Sequence, residues 1–338
     1  GLYPNMDWTP DSREIVYWSR GKIWRMDVAS GEKAEIPFHV QDTRTVYAPP
    51  RFKVDVAPDV FRTRMVRFAT PSPDGKSVVF ESLGSLYIKS GEGEARKLTR
   101  GGDYGFELSP IWSPDGKTIY FITWDDEKLG SIQRVSARGG KPKAVLSEPG
   151  HYADLAINDA GDTLLYRKRG GGYLLDDTHD EGQGVYRMPA KGGTPQLVTK
   201  EGDAPAFGPD GRILVQRGTA LVSLTADGYD ARTIASAKYA SDLRLNKSGS
   251  HIIWRENYHV YMAPVPATGQ EISLTPSGGS VPVAKLTRDG GTYIGWADDD
   301  TAYWSIGPVM KRVDVADAFG ADFKAPRWGK PWVGYVRR

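Results

Sequence analysis

Metal and acid–base chemistry would start from the five histidines, His39, His151, His179, His251 and His259. None stands in His-x-His or His-Glu-x-x-His spacing, the arrangements that bring two imidazoles onto one cation. The lack of cysteine removes thiolate ligands, thiol nucleophiles and disulfides together. A serine nucleophile would need a Gly-x-Ser-x-Gly elbow, and the nearest string, Gly278-Gly-Ser-Val-Pro, lacks the final glycine. Gly75-Lys76-Ser77 and Gly116-Lys117-Thr118 copy the end of a phosphate loop, but Thr70 and Ile111 stand where its first glycine must be. Asp176, Asp177, His179, Asp180 and Glu181 gather enough oxygen ligands for a hard cation such as calcium. Their spacing does not match a calcium loop, and the segment reads as a solvated insertion. No catalytic residue, metal site or cofactor is therefore expected within this chain, and alone it is expected to hydrolyse nothing.

The elements behind these residues are set by a repeat. Ser72-Pro-Asp-Gly-Lys-Ser-Val-Val-Phe returns as Ser113-Pro-Asp-Gly-Lys-Thr-Ile-Tyr-Phe, and weaker copies recur along the chain. The turns align at Pro10-Asp11-Ser12, Pro73-Asp74-Gly75, Pro114-Asp115-Gly116, Asp159-Ala160-Gly161, Pro209-Asp210-Gly211, Lys247-Ser248-Gly249 and Asp298-Asp299-Asp300. Pro presets φ, Asp caps the turn with its side chain and Gly accepts a positive φ. Alternating runs such as Ser77-Val-Val-Phe-Glu-Ser follow and fit half-buried strands.

Units of this size made only of strands cannot bury their apolar faces alone, so they stack as a β-propeller. The fold class expected is all-β: a propeller of about seven blades, six being the alternative, each of three to four antiparallel strands. A single domain is expected over 1–338, with repeats at about 8–38, 70–102, 111–150, 155–202, 206–240, 243–279 and 284–336. Long loops fall at 39–69 and 169–184, and the best place for a helical turn is Val315–Phe319. Closure by side-chain packing alone is expected, without strand exchange between the termini.

The 44 basic residues are interleaved with 42 acidic ones, for a net charge of +2. A nucleic-acid binder would concentrate its basic residues on one stripe, so no nucleic-acid partner is expected. No apolar run is long enough for a membrane span. The sequence opens inside a repeat, Met6-Asp-Trp-Thr-Pro-Asp, and is read as part of a longer polypeptide.

Repeat phase gives a better lead than any motif. Hairpins joining the second and third strands of successive units emerge on one face. They are Ser19-Arg20-Gly21, Ser82-Leu83-Gly84, Trp124 to Lys128, Arg167 to Gly170, Gln216-Arg217-Gly218, Arg255 to Tyr258 and Ser305-Ile306-Gly307. The docking or binding face expected from them comprises Asp125, Asp126, Glu127, Arg167, Lys168, Arg169, Arg217, Arg255 and Glu256. Asp125, Asp126 and Glu127 are expected to be able to pair with Arg167, Lys168 and Arg169 of the next unit.

Trp112-Ser-Pro-Asp-Gly, Leu86-Tyr-Ile, Lys97-Leu-Thr and Gly139-Gly-Lys-Pro resemble the repeats of TolB-like propellers. Strings outside the generic repeat carry a narrower resemblance: Ala57-Pro-Asp-Val-Phe, Thr123-Trp-Asp-Asp-Glu-Lys-Leu-Gly, Glu148-Pro-Gly-His-Tyr, Tyr166-Arg-Lys-Arg-Gly-Gly-Gly and Thr287-Arg-Asp-Gly-Gly-Thr-Tyr-Ile-Gly-Trp. Together they resemble the propeller region of large bacterial metal-dependent amidohydrolases. This resemblance implies a non-catalytic propeller that scaffolds or gates a hydrolase domain in cis, with the divalent metal in that domain and a periplasmic or secreted location. The alternatives are a TolB-like protein- or peptide-binding propeller and the gating propeller of a prolyl-oligopeptidase-type serine peptidase.

Overall fold

The computed structural model describes residues 5–56, 58–101, 105–170, 181–326 and 335–337. It is built almost wholly of short strands, and the repeated turn explains why they begin where they do. In the copy at 72–77, the Ser72 hydroxyl donates to Asp74 Oδ1 at 2.6 Å, and the same oxygen receives the Lys76 N–H at 3.1 Å. The Ser77 N–H donates back to Ser72 Oγ at 2.9 Å, and Gly75 takes φ 67°. The copy at 113–118 repeats these contacts at 2.6, 3.0 and 2.9 Å. Each turn thus satisfies its own polar groups and releases the chain into a strand.

The chain divides into two compact units, 1–56 and 57–338. The first holds one sheet of four antiparallel strands, Met6–Trp8, Glu14–Ser19, Lys22–Asp27 and Lys33–Ile36, which is the first repeat. None of its described residues is buried.

The second unit holds the other six repeats as six blades, and their innermost strands line one central cavity. Those strands are Arg67–Pro71, Phe106–Trp112, the second half of Lys143–Ile157, Asp203–Phe207, Ala240–Leu245 and Thr292–Trp296. Lys143–Ile157 serves twice: its first half is the outer strand of blade two, and its second half opens blade three. Apolar side chains of neighbouring blades interdigitate. Val79, Leu86 and Ile88 of blade one, for instance, bury against Trp112, Ile119 and Phe121 of blade two.

Against the seven blades expected, with six as the alternative, the ring has six; the first repeat forms the sheet of the first unit. That ring closes within the second unit, where the Val66 N–H donates to the Gly307 carbonyl at 2.9 Å, joining blade one to blade six. Closure by side-chain packing alone does not describe it, because Val60–Arg62 also pairs antiparallel with Tyr335–Arg337 near the end of the chain. Backbone pairing there satisfies strand edges that packing would leave open. Strand order departs from plain antiparallel where Ile272–Leu274 adds parallel to Arg232–Ala237 of blade four. The helical turn expected at Val315–Phe319 forms over Val315–Ala318. Among the described residues of the insertion 39–69, strand is formed by Val60–Arg62 and the start of Arg67–Pro71. The acidic segment expected at 176–180 lies outside the described residues, and Glu181 beside it is exposed.

Candidate functional site: the hairpin-side mouth of the channel

The cavity enclosed by the six innermost strands has a volume of about 600 Å³. Each of these strands is broken by a register shift in its pairing with the second strand; in five blades it falls at the same place, and in blade five it falls earlier, between Ala240 and Asp242, so that Asp242 pairs with Arg255. Phe68, Ser109, Asp154, Ala204 and Tyr293 within the shift, and Asp242 just past it in blade five, each precede their turn residue by one fixed interval (68 to 75, 109 to 116, 154 to 161, 204 to 211, 242 to 249, 293 to 300). Five of them hold left-handed backbone, with φ 50° at Phe68, 50° at Ser109, 55° at Asp154, 48° at Ala204 and 51° at Tyr293. Non-glycine residues adopt that region at a cost, and bulges of this kind re-aim side chains toward a cavity. All six line the channel.

Charge is concentrated at the mouth. Asp242 accepts from Arg255 Nε at 3.0 Å and from Arg244 Nη2 at 3.4 Å, which places one carboxylate between two guanidinium groups. Asp154 accepts the Ala204 N–H of the next blade at 3.3 Å. At the seam between blades six and one, Arg67 bonds Glu81 at 3.2 Å, donates to the Tyr293 hydroxyl at 3.4 Å and lies over the Phe68 ring at 5.3 Å. Phe68 and Tyr293 are themselves in contact, with ring centroids 4.9 Å apart. Glu81 is buried and its other oxygen accepts the Gly84 N–H of the hairpin at 2.6 Å, so the seam and the hairpin share one carboxylate.

The nine residues expected from repeat phase lie on the hairpins of the second unit or at their ends, with partners other than those expected. Asp125 accepts the backbone N–H groups of Lys128 and Glu127 at 2.8 and 3.0 Å, and these bonds hold its carboxyl below the usual carboxylate range. Asp126 accepts from Trp124 Nε1 at 2.8 Å, and Glu127 is exposed. Arg167 pairs instead with Asp203 at the start of the next blade, and Lys168 with Glu148 at 3.1 Å. The expected pairing between the two loops is replaced because Asp125 is held by its own hairpin, while Asp203 and Glu148 stand closer to the basic string. Arg169 stands opposite His151 in the strand register. Arg217 donates to Thr199 Oγ1 at 3.2 Å, and Glu256 is a buried acceptor for Trp254 Nε1 at 3.2 Å. Arg255 alone of the nine lines the channel itself.

Between blades two and three Trp124 meets His151 at 5.1 Å, and within blade three Tyr152 meets Tyr166 edge-on at 5.5 Å. Burial, and then the charges of Arg169 and Arg167, push the His151 pKa below its ordinary value and favour the neutral ring. Burial also pushes the Tyr152 and Tyr166 hydroxyls up, so they act as neutral groups. Among the described residues, no group of three or more His, Asp or Glu side chains is placed to hold a metal ion. Sequence reasoning missed Arg244, Asp242, Asp154 and Tyr293. For Asp242, Asp154 and Tyr293 the signal was available in the constant spacing from the turn, where a charged or aromatic residue stands out against an apolar strand.

No protein-family model matches the chain. Dipeptidyl-peptidase 5 of Porphyromonas gingivalis is 25% identical over 211 residues, which is 59% of this chain and 28% of that protein. The uncharacterized peptidase YuxL of Bacillus subtilis is 32% identical over 159 residues, or 43% of this chain and 20% of that protein. The chain thus spans less than a third of either curated relative. Among solved structures, TolB from Acinetobacter baumannii matches with a TM-score of 0.51 at 13% identity, covering 92% of this chain and 76% of that one. The putative TolB from Agrobacterium tumefaciens matches at 0.50 and 18% identity, covering 65% and 80%. The fold is a β-propeller, as in those two structures.

Proposed function

We propose that the chain is the non-catalytic propeller module of a longer hydrolase and that the hairpin-side mouth of its channel faces the catalytic domain. One observation carries this. Strings that set the chain apart from generic repeats come together on the hairpin side of the ring, with Trp124 on His151 and Lys168 on Glu148, and Tyr293 of a further such string lines the channel against Phe68 and Arg67. The generic turns 72–77 and 113–118 occupy the other end of the same strands. Residues that distinguish one propeller from another belong where it meets its particular partner or substrate.

The same strings resemble amidohydrolase propellers, so the favoured catalytic partner is a metal-dependent amidohydrolase domain in cis. Its divalent metal would polarise a carbonyl and activate water there. The described residues of this chain do not fit that metal, since no three His, Asp or Glu side chains converge. The likeness to two peptidases supports a second reading, in which the propeller gates a serine peptidase of the prolyl oligopeptidase type. A TolB-like protein- or peptide-binding role would use the same mouth without a catalytic domain.

The polypeptide that carries this chain, assayed on amide substrates, distinguishes the three. Loss of hydrolysis on chelation, with no effect of a serine-directed fluorophosphonate, is expected. The reverse pattern would establish the peptidase reading, and absence of any hydrolysis would leave the binding role.

A further inference from the structure

A second concave site lies away from the channel, on the outer part of blade two. It has a volume of about 400 Å³ and is lined by Lys117, Thr118, Arg134, Ser136, Lys141 and Lys143, with the backbone of Gly139 and Gly140 completing the wall. No carboxylate lines it. The chain as a whole interleaves its charges almost evenly, so four cations around one cavity are a local departure.

Strand register makes the departure costly. Arg134 stands directly opposite Lys143 across the antiparallel pair, and like charges placed so repel each other. On its other side Arg134 faces Tyr120, whose hydroxyl it reaches. Even so, Arg134 Nε is buried without a hydrogen-bond partner among the described residues. A buried guanidinium N–H without an acceptor carries its desolvation cost uncompensated. Lys117 has a single ion pair, a loose one to Asp115 at 3.9 Å with both side chains largely exposed. Neighbouring strands offer no carboxylate to Arg134, Lys141 or Lys143 among the described residues. The Ser136 and Thr118 hydroxyls, themselves opposite each other in the register, supply neutral donors at the same wall.

An oxyanion seated here would satisfy Arg134, relieve the Arg134–Lys143 repulsion and use both hydroxyls at once. Guanidinium and ammonium groups converging with hydroxyl donors match a tetrahedral, multiply charged oxygen acceptor better than a single carboxylate. We propose that this cavity binds the phosphate or sulfate group of a small anionic ligand, independently of the channel mouth and of whichever catalytic partner the propeller serves.

The test is thermal unfolding of the chain with inorganic pyrophosphate or inorganic sulfate, each against sodium chloride at matched ionic strength. Lys143→Glu is the informative variant, because it replaces a repulsive cross-strand pair by an attractive one and so leaves the fold intact. Wild type is expected to gain about 2–4 °C in Tm from at least one oxyanion beyond the chloride control. Lys143→Glu is expected to match or exceed wild type in chloride and to lose that gain, and Lys141→Ala to lose most of it. A response to pyrophosphate alone assigns a phosphate ligand, and a response to sulfate alone a sulfate ester. No gain in wild type with either anion, or the same gain in Lys143→Glu, overturns the proposal.

Discussion

Tyr17 and Phe121 hold the same place in the repeat, five residues beyond the turn residue (12 to 17, 116 to 121), yet Phe121 is fully buried and Tyr17 is not. Trp8 and Trp112, which open the matching turns, are 54% and 8% exposed. The two sheets share strand order, turn position and residue type. What differs is that in the second unit each blade has a blade on either side, and Val79, Leu86 and Ile88 cover Trp112 and Phe121. A propeller blade therefore specifies its strands locally and acquires its core from its neighbours.

The comparison breaks most visibly if apolar truncation costs the same in both sheets. Trp254, fully buried and the counterpart of Tyr17 in blade five, is expected to cost about 3–5 kcal/mol as Trp254→Ala. Tyr17→Ala is expected to cost below about 1 kcal/mol. Denaturant unfolding of both variants measures the gap. Amide hydrogen exchange sharpens it: Ile252 to Trp254 are expected to exchange orders of magnitude more slowly than Ile15 to Tyr17. Similar protection in the two strands would show that the first sheet has cover comparable to a ring blade's.

Next in size is the ring seam. Arg67→Ala leaves the buried Glu81 carboxylate without its ion-pair partner, and a loss of about 1–3 kcal/mol is expected, smaller than for a fully buried pair because Arg67 is part exposed. No comparable contact exists in the first sheet, whose ion pairs Lys22–Glu35 and Arg25–Glu14 are on the surface and are expected to contribute about 0–1 kcal/mol each.

A smaller effect separates the units by pH. Burial raises the pKa of Glu107, against bonds from Thr99 Oγ1 and the Leu86 N–H that lower it. The folded state then holds this proton more tightly than the unfolded chain, so stability falls as pH rises from the ordinary glutamate value through the raised one. Glu107→Gln, which keeps both acceptor contacts, is expected to flatten that slope. In the first unit Asp11 shows the opposite sign. The Thr9 hydroxyl and Arg13 N–H hold its carboxyl low, and its contribution is present above the ordinary aspartate value and lost as pH falls through the lowered one.

Strand order and turn chemistry were legible because a short phrase fixes them: Ser-Pro-Asp-Gly closes its own hydrogen bonds, so its copies count the sheets. Ring closure was not legible from that phrase. It depends on the Val66 to Gly307 bond and the Val60–Arg62 ladder, both between residues far apart in sequence. At the mouth, hairpin positions such as Arg167 and Arg255 could be read from repeat phase, but their partners could not. Asp203 and Asp242 lie on innermost strands, and only the folded ring sets them beside the hairpin cations Arg167 and Arg255. Arg134 and Lys143 were equally hidden, since register across two strands, and not spacing along one, sets them opposite each other.

The central proposal, that the hairpin-side mouth faces a catalytic domain in cis, is tested most directly by titrating this chain against that proposed domain expressed separately. Asp126→Lys and Arg167→Glu, at the mouth, are expected to weaken association at least about tenfold, a loss near 1.4 kcal/mol, while shifting the Tm of the chain by less. Asp74→Lys, at the turns on the opposite end of the strands, is expected to leave the affinity unchanged. Equal affinity for wild type and both mouth variants, or a loss confined to Asp74→Lys, would contradict the account and move the interface to the turn side of the ring.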